Sequence, residues 1–267
     1  MNLALLGGGR MGEALARGLI DAGWDADALV IAEIDSDRRR ALEEQLPGVR
    51  VVPSPAWAAA DAEVVVVAVK PDDVAGAIEA SATTLPDHAL VLSIAAGVTL
   101  SDLEAVAGDR PVVRAMPNTG ALVGKGAAAI AAGHRAGEPQ LELAERVLGA
   151  VGTVVRVPES LLDAVTGLSG SGPAYVFLVA EALTESGVLV GLPRTVAAAL
   201  VAQTLLGAAT LLSETGETPE SLRAAVTSPG GTTAAGLQAL EAHGVRAAFL
   251  DAVEAATLRS RELGAGA

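Results

Sequence analysis

The 267-residue chain contains no cysteine, which removes disulfide frameworks, thiolate metal sites and catalytic thiols together. Aromatic residues make up only 2% of it, too few for a base-stacking platform. Cations are scarce too. Lys and Arg number 18 against 32 Asp and Glu, for a net charge of −14, and Arg38-Arg39-Arg40 is the one basic run. That balance speaks against a phosphate-backbone partner, so no nucleic acid is expected. His88, His134 and His243 stand far apart without ligand spacing, and no metal site is expected. The chain start shows no secretory pattern, because the apolar run Asn2–Leu6 meets glycines at once. One uncharged stretch, Thr195–Ser213, approaches membrane-spanning length. It is Ala-rich and carries Gln203, Thr204, Gly207 and Thr210, which favours a buried helix of a soluble, cytoplasmic oligomer over a membrane partner.

What is present is apolar and small. The hydrophobic fraction is 51%, carried by Ala, Leu and Val, and this predicts much helix. The length allows a sizeable core and two domains.

Asn2–Leu6 reads as a buried strand followed by Gly7-Gly-Gly-Arg-Met-Gly12 and an amphipathic helix through Leu15, Leu19 and Ile20. Gly7-x-Gly9-x-x-Gly12 in that context is a dinucleotide-binding turn: a tight bend, an approach for a pyrophosphate and close helix–strand packing. The next strand, Leu29–Ala32, ends at Glu33. An acid there suits a ribose 2′-OH and favours NADH, whereas Arg38–Arg40 offer charges that a 2′-phosphate would want. Their alternative is a solvated first turn of the next helix, and NADH and NADPH both stay open. Strand–helix alternation continues through Val64–Val69, Pro71 at a helix start, Leu90–Ile94 and Val112-Val113, the signature of a doubly wound parallel sheet. Ala68-Val-Lys-Pro71, Ser93–Gly97 and Met116–Thr119 fall at strand ends on the rim that carries the glycine loop. A helix near Glu138–Leu148 and a strand near Thr153–Val157 complete a domain of residues 1–157.

Residues 158–267 read as all helical, with segments at Glu159–Leu168, Pro173–Ser186, Pro193–Leu212, Pro219–Val226, Thr233–Ala242 and Val245–Leu263. Pro173 and Pro193 suit first helical positions. The two long central helices are apolar nearly all round and need cover on most sides, which predicts a homodimer. Ser228-Pro-Gly-Gly-Thr-Thr233 is turn chemistry that places Thr232 and Thr233 at a helix cap and aims free N–H groups at one spot. Such a spot suits a carboxylate.

A nucleotide domain followed by helices suggests a reductase. The helical half has no lysine, since Lys70 and Lys125 both lie earlier, and its only histidine is His243. Reduction of C=O must protonate an alkoxide, whereas a protonated imine needs little further acid, so the composition leans toward C=N. Tyr175, Thr166 and Thr233 are alternative donors and keep C=O reduction open. A nucleotide-sensing module without turnover is the non-enzymatic alternative.

Asp163-Ala-Val-Thr-Gly-Leu-Ser-Gly-Ser-Gly-Pro-Ala-Tyr175 and Val226-Thr-Ser-Pro-Gly-Gly-Thr-Thr233 resemble the two most recognisable segments of the pyrroline-5-carboxylate reductase family. Gly7–Gly12, Ala68–Pro71, Ser93–Val98 and Arg114–Thr119 match it in the same order, so the resemblance spans nearly the whole chain. It implies an α/β fold, an N-terminal Rossmann-type domain with an all-α dimerisation domain, in which dimers often assemble into a decamer. It implies NADPH- or NADH-dependent reduction of 1-pyrroline-5-carboxylate to L-proline, the last step of proline biosynthesis. Backbone groups of Gly230, Gly231, Thr232 and Thr233 would hold the substrate carboxylate, and the Thr233 hydroxyl would meet the ring nitrogen. Glu159 would stand near the iminium, Ser171 to Tyr175 would line the far wall, and the partner subunit would complete the site. The cofactor would contact Gly7, Gly9, Arg10, Met11, Gly12, Glu33, Ala68, Val69, Lys70, Pro71, Ala95, Ala96 and Asn118. Ala225 departs from members that carry Asn near the cofactor.

Overall fold

The computed structural model describes residues 1–265. Eight strands form one sheet: β1 Leu3–Leu6, β2 Leu29–Ala32, β3 Arg50–Val52, β4 Val64–Val67, β5 Leu90–Ser93, β6 Val112–Met116, β7 Gly126–Ala132 and β8 Gly152–Arg156. Their order is β3-β2-β1-β4-β5-β6-β7-β8. The helices interleaved with them are α1 Arg10–Asp21, α2 Ser36–Gln45, α3 Pro55–Ala59, α4 Val74–Ser81, α5 Leu100–Ala107 and α6 Glu138–Gly149.

Strands β1, β2 and β4 are apolar at every position, as a sheet covered on both faces requires. Leu3, Leu5, Ile31, Val64 and Val66 turn to one face and meet Leu15 and Leu19 of α1, Leu42 of α2 and Val147 of α6. Ala4, Leu6, Val30, Val65 and Val67 turn to the other and meet Ala58 of α3, Val74 and Ile78 of α4 and Leu103 of α5. Two helical layers therefore sandwich the sheet. The wholly parallel sheet expected from the alternation is corrected at one ladder, because β7 pairs antiparallel with β6 while β8 runs parallel to β7. β7 reads Gly-Ala-Ala-Ala-Ile-Ala-Ala, almost without β-branched residues, and has no local strand signal. Burial between two neighbouring strands makes it one.

The remaining helices are α7 Leu162–Val165, α8 Gly172–Leu189, α9 Arg194–Glu214, α10 Pro219–Ala225, α11 Thr232–Ala242 and α12 Val245–Ala265. The chain divides into two compact units. One holds Met1–Ser171 together with the chain from Glu254 onward, and the other holds Gly172–Val253. The single helix expected over Glu159–Leu168 is instead a 3₁₀ turn at Glu159–Leu161, α7, and a π turn at Thr166–Gly170. The end of α12 is tied into the first unit by Ser260, 6% exposed, whose hydroxyl donates to Asp163 Oδ1 at 2.7 Å.

Within the second unit α8 and α9 approach closely at Gly187, where an added Cβ would stand 2.9 Å from that of Ala197. Pro193 is the N-cap of α9 and not its first residue. Large apolar side chains on this unit stay open, among them Phe177 at 68%, Leu189 at 87% and Leu206 at 61% exposed. Among the described residues, α9 is the one helix long and apolar enough to cross a membrane.

Candidate active site

The strand order reverses at β1. Its neighbours are β2 and β4, followed by α2 on one face and α4 on the other, which opens a crevice at the carboxyl ends of the strands. The three glycines after β1 each have a separate physical reason. Gly7 has φ +108°, and a Cβ there would lie 2.8 Å from the Ala68 carbonyl oxygen. Gly9, the N-cap of α1, has nothing within 4 Å of where a Cβ would be, so this flank of the helix N-terminus is open to a ligand. A Cβ on Gly12 would collide with the Gly7 carbonyl oxygen, so α1 sits against the turn only because that position lacks a side chain. The cradle, with unpaired helix N–H groups beside open space, fits a dinucleotide pyrophosphate.

A cleft of about 660 Å³ extends from this cradle and is lined by Gly7, Gly9, Glu33, Ala68, Val69 and Lys70. A second, of about 840 Å³, shares Lys70 with it and reaches Pro71, Ala96, Ser171, Arg259 and Ser260. The structure thus brings together most of the residues expected at the cofactor. Gly12 is buried behind the turn, and Met11 packs on the core.

The side chains of four expected residues are turned elsewhere. Arg10 lines a hollow of about 480 Å³ with Glu13 and Arg17. Ala95 is buried, its N–H facing Ser93 Oγ at 3.4 Å. The Asn118 side chain is consumed internally: Oδ1 accepts from the Gly120 and Ala127 N–H groups at 3.1 Å each, and Nδ2 donates to the Ser169 carbonyl at 3.0 Å. Glu159 Oε1 accepts from Arg114 Nη1 at 2.9 Å and from the Leu100 N–H at 2.6 Å. Its carboxylate thus secures the start of α5 to β6, lining a separate hollow of about 310 Å³ with Glu104 and His134. The sequence carried no sign of these pairings, which join residues 45 and 59 positions apart. Arg259 and Ser260 also went unread, because nothing local says that the end of α12 returns to the first unit.

At the carboxyl end of β2, Arg40 is the solvated helix-start charge, paired with Asp37, whereas Arg38 and Arg39 are tied into the fold. Arg38 donates through Nε to the Gly8 carbonyl at 2.7 Å and through Nη2 to Glu13 Oε2 at 2.6 Å. Arg39 Nη1 donates to the Glu33 and Ile34 carbonyls at 2.9 and 2.8 Å. Burial raises the Glu13 pKa, but hydrogen bonds from Arg38 and Arg17 outweigh it and hold the carboxyl below its ordinary 4.5. The folded value being the lower one, this clamp contributes stability above that ordinary value and loses it as pH falls through the folded pKa.

In the second unit, Gly230 has φ +68°, and a Cβ on Gly231 would collide with Ser228 Oγ. The expected threonine cap is corrected here. Gly231 is the N-cap of α11 and makes no side-chain cap bond, so Thr232 and Thr233 are the first two helical residues. The first intrahelical acceptor is the Gly231 carbonyl, taken by Ala235 at 3.2 Å. The N–H groups of Thr232, Thr233 and Ala234 meet no acceptor among the described residues.

Comparison with known proteins identifies the plan. Residues 159–263 match the family model described as pyrroline-5-carboxylate reductase dimerisation. Residues 2–97 match the model described as NADP oxidoreductase, coenzyme F420-dependent. A pyrroline-5-carboxylate reductase of Synechocystis sp. is 47% identical over 265 residues, covering 99% of this chain and 98% of its own. The structure of a pyrroline-5-carboxylate reductase from Coxiella burnetii superposes with TM-score 0.94 at 38% identity, covering 98% of both chains. That of the Plasmodium falciparum enzyme with NADP bound gives 0.85 at 29%, covering 99% of this chain and 98% of that one. With two clefts at the strand ends, a helical half matching the dimerisation model and identity along the full length, this chain belongs to the pyrroline-5-carboxylate reductase family.

Proposed function

We propose that the groove at the ends of β1, β4 and β5 holds the reduced dinucleotide and that the Ser228–Thr233 turn holds the substrate. The chain is an NAD(P)H-dependent oxidoreductase that reduces 1-pyrroline-5-carboxylate to L-proline, the last step of proline biosynthesis. The bound dinucleotide supplies a hydride to ring carbon C5. The observation that carries the assignment of the turn is its set of unpaired N–H groups at Thr232, Thr233 and Ala234. They form an anion nest at the positive end of α11, suited to the ring carboxylate. The Thr233 hydroxyl, exposed and with no partner among the described residues, would hydrogen-bond the ring nitrogen and steer its protonation. Gly230 and Gly231 shape the turn, and Ser171 lines the cleft beside Lys70. Orientation of the two reactants can supply a large share of such catalysis.

The open apolar faces of α8 and α9 support a homodimer; a decamer of such dimers and a cytoplasmic location follow from the family resemblance alone. Turnover tests the reading: reduced-nicotinamide absorbance falls when pyrroline-5-carboxylate is added with NADH or NADPH, and far more slowly with a 2-oxo acid. Cofactor binding without oxidation would leave only a sensing module. Sedimentation as a monomer at micromolar concentration would remove the dimer.

Glu159 is assigned here as an anchor between β6 and α5. Glu159→Ala leaves Arg114, with its side chain 9% exposed, without its anion. Because the Glu159 side chain is itself 34% exposed, the cost is about 2 kcal/mol, or roughly 4–8 °C in Tm. The expected kcat stays within about fivefold, the equivalent of a 1 kcal/mol change in barrier. An unchanged Tm with a large loss of kcat would return the carboxylate to the substrate.

A further inference from the structure

The charges around the end of β2 bear on which dinucleotide is used. Glu33 is held by two backbone groups, Oε2 by the Gly8 N–H at 3.1 Å and Oε1 by the Asp35 N–H at 2.9 Å. A carboxylate has about four acceptor sites, so two remain for ribose hydroxyls. Each of the three arginines already has a partner. Arg38 bonds the Gly8 carbonyl and Glu13, Arg39 bonds the Glu33 and Ile34 carbonyls, and the exposed Arg40 pairs with Asp37. The cleft is lined by Glu33, Asp35, Asp72 and Asp73 against Lys70.

We propose that this chain discriminates against the 2′-phosphate and takes NADH in preference to NADPH. In this assignment Glu33 is the discriminating group. Arg38 is a positioning residue that ties the glycine loop to α1 and does not serve as a phosphate ligand. The proposal rests on the reading that the dinucleotide occupies the Gly7–Glu33 cleft. A phosphate dianion brought within ~5 Å of Glu33 is repelled by about tenfold in affinity even at water-like screening. Recruiting Arg38 would break two hydrogen bonds that hold the loop.

Calorimetric titration of the full chain with NADH and with NADPH, without imino acid, tests this apart from turnover. NADH is expected to bind at least ~10-fold more tightly. Glu33→Gln is expected to narrow the ratio by about fivefold or more, because it removes the repelling charge and keeps an acceptor for the Gly8 N–H. Arg38→Met should weaken both cofactors alike and leave the ratio unchanged. NADPH binding as tightly as NADH would overturn the discrimination while leaving the reductase reading intact. Selective loss of NADPH in Arg38→Met would make Arg38 a phosphate ligand and overturn its assigned role. Binding of neither would overturn both readings together.

Discussion

Gly12→Ala is expected to lower affinity for both cofactors by roughly 100-fold or more and to lower Tm, whereas Gly9→Ala loses binding alone. The asymmetry follows from what each added methyl meets. At Gly12 it meets the Gly7 carbonyl oxygen, and behind that the Ala68 methyl at 3.8 Å. Neither is the tip of a flexible side chain. The Gly7 backbone is itself pinned, its N–H donating to the Ala32 carbonyl at 2.9 Å. The start of α1 must therefore back away from β1, and overpacking of this kind costs about 1–3 kcal/mol. The helix N–H groups that face the pyrophosphate retreat with it. At Gly9 the backbone is extended, φ −64° and ψ −175°, and nothing lies within 4 Å. Alanine is accommodated without strain, so Tm should stay within about 2 °C, the low end of the shift expected for 1 kcal/mol. Only the incoming phosphate is obstructed. Calorimetric Kd and a thermal melt on both variants separate the two cases. Wild-type binding by Gly9→Ala would mean that the pyrophosphate does not pass over that residue, and a wild-type melt for Gly12→Ala would refute the packing account.

Thr233→Ala should cost about 10–150-fold in kcat/KM, the equivalent of ~1.5–3 kcal/mol for a charge-assisted hydrogen bond, with no loss of stability. Thr166, Thr184, Thr204 and Thr210 each return their hydroxyl to the carbonyl four residues back. Thr233 is the second residue of α11 and has no helical carbonyl behind it. Its hydroxyl is thus not spent on the fold, and alanine is the better helix former. Full activity in the variant would reduce Thr233 to a helix-start residue, and a lowered Tm would show an internal partner for the hydroxyl.

The legible parts of this molecule are those whose cause is local. A four-residue apolar run, a glycine turn and an amphipathic helix announce themselves within ~20 residues, so β1, α1 and the acid after β2 are all legible in the sequence. The apolar excess of α8 and α9 likewise declared that something must cover them. The turn at Ser228–Gly231 is legible too, although its cap is Gly231 and not the threonines that follow: whether glycine or threonine opens the helix depends on backbone angles that both residue types permit.

Other features have causes that lie far along the chain. β7 is a strand because β6 and β8 flank it. Asn118 is consumed by Ser169, Glu159 by Arg114, and Ser260 meets Asp163 across 97 positions. Arg38 and Arg39 look from sequence like free charges and are bound to carbonyls and Glu13 once α2 packs beside the glycine loop. The sequence by itself determined the family, the order of elements and the two motifs that bear the chemistry, because periodicity and turn preference act between near neighbours. The tertiary structure alone decided which polar groups remain free to meet a ligand, because a hydrogen-bonding group is spent or spared by whatever packing places against it.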